Sequence, residues 1–263
     1  MNKTRILMIG DIFAKAGRFA VRRTLPKLIA NESIDFVVAN GENIAGGIGI
    51  TPELAKDLFD FGVDVITSGN HIWRQREIRA YIEKNNRLLR PYNYIKSQPG
   101  NGFGIFETPA GVKVAVINLA GQIFMDVHPD NPFTAADEAV KLTKDADIRV
   151  VDFHAEATSE KIAMGYYLDG RVSAVVGTHT HVQTSDDQIL ENGTAYMTDA
   201  GMTGPHNSVI GMRKDIVVSR FATGMPESFK PAKNDPRFQG VIIDFEGSKA
   251  VSIKRVDISV PLG

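Results

Sequence analysis

The most informative stretch of the chain is an apolar strand that runs into two histidines, Val172-Ser173-Ala174-Val175-Val176-Gly177-Thr178-His179-Thr180-His181. In an extended strand, residues i and i+2 point to the same side, about 7 Å apart along the backbone. Both imidazoles can therefore serve one site, and two metal ions about 3.5 to 4 Å apart can each take one of them. The motif alone leaves open the alternative of an exposed strand end with two incidental histidines.

Short runs rich in β-branched residues alternate with helical patterns along the chain, which is typical of an α/β protein with mainly parallel strands. The predicted strands cover residues 5–9, 36–39, 63–67, 112–118, 148–152 and 172–176. The predicted helices cover residues 17–30, 53–61, 74–85, 134–146 and 158–168. Thr51-Pro52 has the pattern of an N-cap followed by a first-turn proline.

The remaining segments are predicted to be loops and a C-terminal hairpin. Residues 91–109 and 224–240 are rich in Pro and Gly, which favours long surface loops. Residues 240–260 alternate like antiparallel edge strands around a turn at Glu246-Gly247. Without repeats or an interdomain linker, we expect one domain covering residues 1–263.

Composition restricts the chemistry and the partners. The chain has no cysteine, so any metal must be held by nitrogen and oxygen donors. A formal net charge of -1 disfavours a large footprint on duplex nucleic acid but permits a small phosphate substrate. The apolar run at residues 6–9 is too short for a signal-peptide core or a membrane span, so a cytoplasmic protein without membrane contact is expected.

Nearly every predicted strand runs out into a polar residue that can bind metal. Taken singly, each has an ordinary explanation as a helix cap, a turn former or a core histidine. Taken together, they predict a metal site, because ligands of open α/β sheets converge beyond the carboxyl ends of the strands. These residues are Asp11, Glu42, Asn43, Asn70, His71, His154, His179 and His181.

Three basic residues lie near these motifs, namely Arg18, Lys161 and Arg213. They are interpreted as solvated surface charges, with steering of a phosphate as the alternative. Solvated charges are the commoner case for lysine and arginine.

The polar blocks resemble the ordered blocks of the calcineurin-like metallophosphoesterases. The blocks are Gly10-Asp11, Gly41-Glu42-Asn43, Gly69-Asn70-His71, His154 and Thr178-His179-Thr180-His181. The chain lacks the histidine of a DxH block after Asp11, and Glu42 stands where an aspartate is usual. With these departures, the chain resembles the bacterial YmdB-type phosphodiesterases over nearly its full length. The resemblance implies a four-layer αββα sandwich, two iron or manganese ions, and hydrolysis of phosphodiesters including 2',3'-cyclic nucleotides.

The resemblance also implies a role for each residue. One ion would be bound by Asp11, Glu42, Asn43 and His181, and the other by Glu42, Asn70, His154 and His179, with Glu42 bridging. Metal-bound hydroxide would attack phosphorus, and His71, which is assigned to no metal, is the candidate general acid. The alternative for His71 is a histidine that hydrogen-bonds a neighbouring carboxylate.

Two other functions stay open at this point. The same metal core suits a phosphomonoesterase or nucleotidase, because specificity between one and two ester substituents lies in the loops. A metal-dependent regulatory protein that binds a nucleotide with low turnover is the alternative from another class. The expected partner is a small phosphodiester or cyclic nucleotide, and the oligomeric state, a homo-oligomer included, is open.

Overall fold

The computed structural model describes residues 3–262 as a mixed α/β protein with two sheets. Its strands are β1 (Lys3–Ile9), β2 (Asp11–Ile12), β3 (Phe36–Asn40), β4 (Val65–Thr67), β5 (Phe103–Glu107), β6 (Lys113–Ala120), β7 (Ile148–His154), β8 (Ala174–Thr178), β9 (Gln188–Ile189), β10 (Ala195–Met197), β11 (Met202–Pro205), β12 (Pro236–Glu246) and β13 (Lys249–Ser259). Its helices are α1 (Ala14–Glu32), α2 (Pro52–Asp60), α3 (Ile78–Ile82), α4 (Pro132–Leu142), α5 (Thr158–Leu168) and α6 (Lys214–Thr223).

Each sheet has a parallel centre. In the first sheet, β1, β3 and β4 are parallel neighbours, and the antiparallel hairpin of β12 and β13 joins β1 through β12. In the second sheet, β6, β7, β8 and β10 are parallel, and β5 and β9 close the two edges in antiparallel pairing. Parallel strands have their carboxyl ends at the same edge of a sheet, so both sheets direct their strand ends to a shared region.

Alternating side chains of each central strand pack on two different cores. Ile6 and Met8 of β1 belong to a core that also contains Val150 of β7 and Val176 of β8, so this core lies between the two sheets. The neighbouring positions of β1 face outward, against α1 and α2, in a second core. A third core joins the outer face of the second sheet to α4 and α5. Strands covered on both faces are continuous hydrophobic runs, which explains the β-branched pattern of the sequence.

Helix α2 shows how local sequence fixes the start of an element. Thr51 has extended backbone, and its hydroxyl accepts a hydrogen bond from the backbone N–H of Leu54 at 3.3 Å. Pro52 occupies the first turn, where its missing N–H costs nothing. The predicted N-cap is therefore confirmed. None of the helices within residues 3–262 has the length and apolar character needed to cross a bilayer.

The six predicted strands are confirmed, with ends that shift by up to two residues. The predicted C-terminal hairpin is also confirmed, although β12 is an interior strand paired with both β1 and β13. The predicted helix over 74–85 is wrong, since only Ile78–Ile82 is helical. The chain there forms turns, such as Arg74 N–H to the His71 carbonyl, that continue from the loop after β4.

Two predicted loops contain regular structure. Strand β5 lies in the segment 91–109, and β12 begins at Pro236 inside the segment 224–240. Helix α6 was not predicted at all. Val217 is its buried anchor, whereas Val218 and Phe221 are exposed, so the segment lacks the apolar stripe that predicts a helix.

Candidate metal centre

The predicted ligand residues converge at the carboxyl ends of the strands. Asp11 begins β2 directly after β1, and Glu42 and Asn43 follow β3. Asn70 and His71 follow β4, His154 ends β7, and His179 and His181 follow β8. Each sheet thus contributes part of one cluster, whose members are linked by the contacts described below.

His154 Nε2 lies at the centre of the first half of this cluster. The atom is 3.0 Å from His179 Nδ1, 3.1 Å from Asn70 Oδ1 and 3.2 Å from Glu42 Oε2. His154 and Glu42 are almost completely buried. One proton cannot satisfy three such neighbours, whereas a single cation can.

The spacing of these atoms fits a bound metal. Metal–nitrogen and metal–oxygen bonds of about 2.0–2.2 Å bring adjacent ligand atoms to about 3 Å from one another. The ligand atoms of Glu42, His154 and His179 all lie within 4.8 Å of one another. These three side chains therefore form a group able to hold a metal ion.

The second half of the cluster surrounds an oxygen without a partner. Asp11 Oδ1 is buried and has no hydrogen-bond partner within residues 3–262, while Asp11 Oδ2 accepts the backbone N–H of His179 at 2.9 Å. His181 Nε2 lies 3.7 Å from Asp11 Oδ1 and 3.2 Å from the amide nitrogen of Asn43. A buried carboxylate oxygen without a donor is costly unless a cation balances it. Asp11 and His181 therefore offer an oxygen and a nitrogen to a metal ion, whereas Asn43 turns its amide nitrogen toward His181 and its oxygen toward His71 Nδ1.

The second nitrogen of each histidine contacts an oxygen acceptor. His154 Nδ1 is 2.9 Å from the Thr178 hydroxyl, which itself donates to Asp152 at 2.7 Å and so must accept from the ring. His181 Nδ1 donates to the Ile210 carbonyl at 2.9 Å, and His179 Nε2 is 3.1 Å from the Glu156 carboxylate. These contacts leave the lone pair of the other nitrogen directed at the cluster, as in metal-binding histidines generally.

A layer of polar side chains lies between the inter-sheet core and the ligand residues. This layer was not predicted from the sequence. On five strands, the residue two positions after a valine of the inter-sheet core is polar, which places it on the same face by the period of two. The five residues are Asn40, Thr67, Asn118, Asp152 and Thr178. This repeat of valine and polar residue at i and i+2 is the signal that could have found the layer.

Asp152 is the centre of that layer. Its carboxylate accepts hydrogen bonds from the Asn40 amide at 3.1 Å and from the hydroxyls of Thr67 and Thr178. Burial raises the pKa of Asp152 to about 6, although the positive charge of a protonated His154 opposes this rise. The layer therefore fixes the orientation of His154 through Thr178.

A buried ion pair holds the turn that contains His179 and His181. Both histidines have positive φ angles, 105° and 64°, which L-residues adopt only under constraint. Between them, the backbone N–H and the hydroxyl of Thr180 donate to Asp199 Oδ2 at 3.1 and 2.8 Å. Lys161 contacts the same oxygen at 2.6 Å, and both charged groups are buried. The interpretation of Lys161 as a solvated surface charge is therefore wrong.

The pKa values of His154 and His179 are shifted in opposite directions. Burial alone would lower the pKa of His154, but the adjacent Glu42 carboxylate raises it to about 9. Burial, followed by the charge of His154, lowers the pKa of His179 to about 4. The cluster thus favours one positive charge at His154 Nε2, the position where a metal ion fits.

His71 lies beside the cluster with one nitrogen free to face the cavity. Its Nδ1 is 2.8 Å from Asn43 Oδ1 and 3.3 Å from Glu42 Oε1. The contact with a neighbouring carboxylate is therefore present at Nδ1. The ring also lines the cavity over the cluster, and the role of His71 as a general acid stays a prediction.

Two glycines allow the strand ends to approach this closely. A Cβ on Gly69 would lie 2.1 Å from His154 Cδ2 and 2.3 Å from Glu42 Oε2. A Cβ on Gly177 would lie 1.8 Å from the Thr198 carbonyl oxygen. Neither position has room for even a methyl group.

The cluster opens into a cavity of about 460 Å³. One wall is polar and belongs to the cluster. The other wall is apolar and consists of Val209, Ile210, Met212, Val217, Phe221 and Phe229. We call this second group the apolar wall.

The fold has structural relatives among phosphate-ester hydrolases. The NAD nucleotidase of Haemophilus influenzae superimposes with a TM-score of 0.58 at 13% identity, over 98% of this chain and 56% of that one. At this identity the similarity shows the fold alone, a mixed α/β fold with two sheets.

Closer similarity identifies the family. Residues 7–256 match the family described as YmdB-like protein, and the chain belongs to it. A Bacillus subtilis (strain 168) protein named 2',3'-cyclic-nucleotide 2'-phosphodiesterase is 45% identical over 97% of each chain. A crystal structure described as a novel phosphatase from Mycoplasma pneumoniae superimposes with a TM-score of 0.92 at 34% identity, over 98% of this chain and 94% of that one.

Proposed function

We propose that this protein is a metal-dependent phosphodiesterase that opens 2',3'-cyclic nucleotides at the 2' oxygen. The observation that carries the proposal is the position of His71, whose ring lines the same cavity as the His154, His179 and Glu42 cluster. The 45% identity with the B. subtilis enzyme supports this substrate class. The proposed scaffold is a single domain over residues 1–263, with the four layers α, β, β and α indicated by the three cores.

We propose two iron or manganese ions as cofactors. Asp11, Glu42, Asn43 and His181 would hold one, and Glu42, Asn70, His154 and His179 the other. Nitrogen and oxygen donors of this mixture suit both metals. Two such ions, when bound, lower the pKa of water and offset charge on phosphoryl oxygens.

The chain's own residues provide the proton for the leaving group. Water adds to phosphorus and releases one proton to solvent, the bond between phosphorus and the 2' oxygen breaks, and that oxygen takes a proton from His71 Nε2. His71 then regains a proton from solvent. Asn43 and Glu42 hold His71 Nδ1 and so aim Nε2 into the cavity. The product is a nucleoside 3'-monophosphate. General acid catalysis of this kind is worth about 10² to 10⁴ fold.

The test is a product assay with manganese-loaded or iron-loaded protein. 2',3'-cyclic AMP and adenosine 3'- and 2'-monophosphates are supplied separately, and products are resolved by ion-exchange chromatography. We expect conversion of the cyclic diester into the 3'-monophosphate and little release of inorganic phosphate. Preferential release of phosphate from monophosphates would instead assign a phosphomonoesterase. Nucleotide binding without turnover would assign a regulatory role.

A further inference from the structure

The cavity over the cluster has two walls of opposite chemistry. Glu42, Asn43 and the three histidines His71, His179 and His181 form the polar wall. The apolar wall lines the same cavity and comes from the segment around α6. A ligand held by its phosphate at the polar wall can therefore place its other end against the apolar wall.

Much of the apolar wall is exposed. Phe221 is 77% exposed, Ile210 is 55% exposed and Phe229 is 41% exposed. Val217 is buried, and Phe221 lies one helical turn further on the same face of α6. Phe221 is therefore exposed because the cavity beside it is open. Grouped exposed apolar side chains of this kind mark binding surfaces.

The apolar wall is attached to the cluster at a fixed distance. The Ile210 carbonyl accepts the Nδ1–H of His181 at 2.9 Å, so the histidine of the cluster holds the backbone of the wall. Phe13 also spans both, because its ring packs edge-on against His181 at a centroid distance of 5.6 Å. At the far end, the Arg220 guanidinium lies over the Phe229 ring, 4.5 Å from its centroid. The wall therefore has a set position relative to the phosphate end of the cavity.

We propose that the apolar wall is the platform for the nucleobase of the substrate, and that Phe221 and Phe229 provide its stacking surface. The inference rests on the proposed function and extends it to specificity. The side chains of the wall carry no hydrogen-bonding group, so they contact the faces of a base and do not read its edge. The enzyme therefore favours substrates that carry a base, accepts all four bases and favours the larger purines. Two aromatic rings suit a flat base better than an aliphatic chain.

The test compares diesters that differ only in the base. The substrates are 2',3'-cyclic AMP, 2',3'-cyclic CMP and the 2',3'-cyclic phosphate of 1-O-methylribose, which has no base. Stacking of a base on an aromatic ring changes affinity roughly 5- to 150-fold. For the wild-type protein, we expect kcat/KM on the two nucleotides to exceed kcat/KM on the abasic diester by a factor in this range. We also expect kcat/KM on 2',3'-cyclic AMP to exceed that on 2',3'-cyclic CMP.

Substitution of the wall should remove that advantage. Phe221→Ala and Phe229→Ala should raise KM for the nucleotides and lower kcat/KM for the abasic diester far less. The matched control is Tyr166→Ala, an exposed aromatic residue of α5 that lines a different cavity. Circular dichroism and metal content check that each variant is folded and loaded.

Three results would overturn the platform. They are an equal loss on all three substrates, no wild-type preference for a base, and a stronger preference for a hexyl phosphodiester than for a nucleotide. Equilibrium dialysis with adenosine 3'-monophosphate and ribose 3-phosphate provides a readout independent of turnover. If no cyclic diester is hydrolysed, the proposed function fails, and the dialysis still decides whether the wall binds a base.

Discussion

The histidines of the cluster are held in two different ways. His154 ends the regular strand β7, is fully buried, and is oriented by Thr178 and Asp152. His179 and His181 lie in a turn with left-handed backbone that is held through Thr180 by Asp199 and Lys161. A non-glycine residue in such a conformation costs about 1–3 kcal/mol. The ligand at the strand end is oriented by hydrogen bonds to neighbouring polar side chains, whereas the turn is held by a buried ion pair.

The largest effect should follow from Glu42, the carboxylate proposed to bridge the two ions. Glu42→Gln should lower the occupancy of both ions, because the lost charge acts on each, whereas His181→Ala should affect mainly the ion beside Asp11. Elemental analysis after dialysis against manganese measures this. Glu138→Gln, an exposed carboxylate paired with Lys96, is the control. Selective loss of the same single ion in both variants would show that Glu42 does not bridge.

His71 is held neither by the contacts of Thr178 and Asp152 nor by the ion pair of Lys161 and Asp199. Its substitution should therefore lower activity without loss of metal. His71→Ala should keep both ions yet lose about 10² to 10⁴ fold in activity on 2',3'-cyclic AMP, whose alkoxide leaving group needs a proton. Hydrolysis of a diester with a nitrophenolate leaving group should suffer far less, and the ratio of the two rates is the measurement. Similar losses on both substrates would assign His71 to phosphate binding, and loss of metal would make it a ligand.

The ion pair of Lys161 and Asp199 tests how the turn with His179 and His181 is held. Lys161→Met leaves the Asp199 charge buried without its partner, so the free energy of unfolding should fall by about 3–5 kcal/mol. The double variant Lys161→Met with Asp199→Asn should recover part of that stability but not the metal occupancy. Urea denaturation measures the first effect. Lys141→Met, at an exposed lysine of α4, should stay near wild type, and an equally small change for Lys161→Met would contradict the structural role.

The smallest effects should come from the two threonines, which form a matched pair. Thr178→Val removes the acceptor of His154 Nδ1, and Thr180→Val removes a hydrogen bond to Asp199. Loss of such supporting contacts typically weakens metal binding by about 10 to 100 fold. Manganese titration should show Thr178→Val weakened only at the ion of His154 and His179, and Thr180→Val weakened at that ion and also at the ion of His181. If Thr180→Val leaves the ion of His181 unchanged, or Thr178→Val weakens that ion equally, the two supports are not separate.

The features that could be predicted from the sequence are those that a local pattern of residues records. Apolar runs predict the strands, and polar residues at their ends predict the cluster, because the parallel sheet rule brings strand ends together. Lys161 was misassigned because its ion pair with Asp199 joins residues 38 positions apart, and no local pattern records that contact. Helix α6 was missed because Phe221 and Val218 face solvent or an open cavity, so its apolar residues form no continuous stripe.

The close approach at Gly69 and Gly177 restricts how this protein can change through mutation. Alanine is the smallest step away from glycine, and at both positions it would collide with the cluster or with a neighbouring carbonyl. No sequence of small, tolerated substitutions leads away from these glycines. Phe221 lies at an open surface, where a replacement alters little of the surrounding packing. Substitutions at Phe221 can therefore change the substrate preference, while the positions of Gly69 and Gly177 at the reaction centre stay the same.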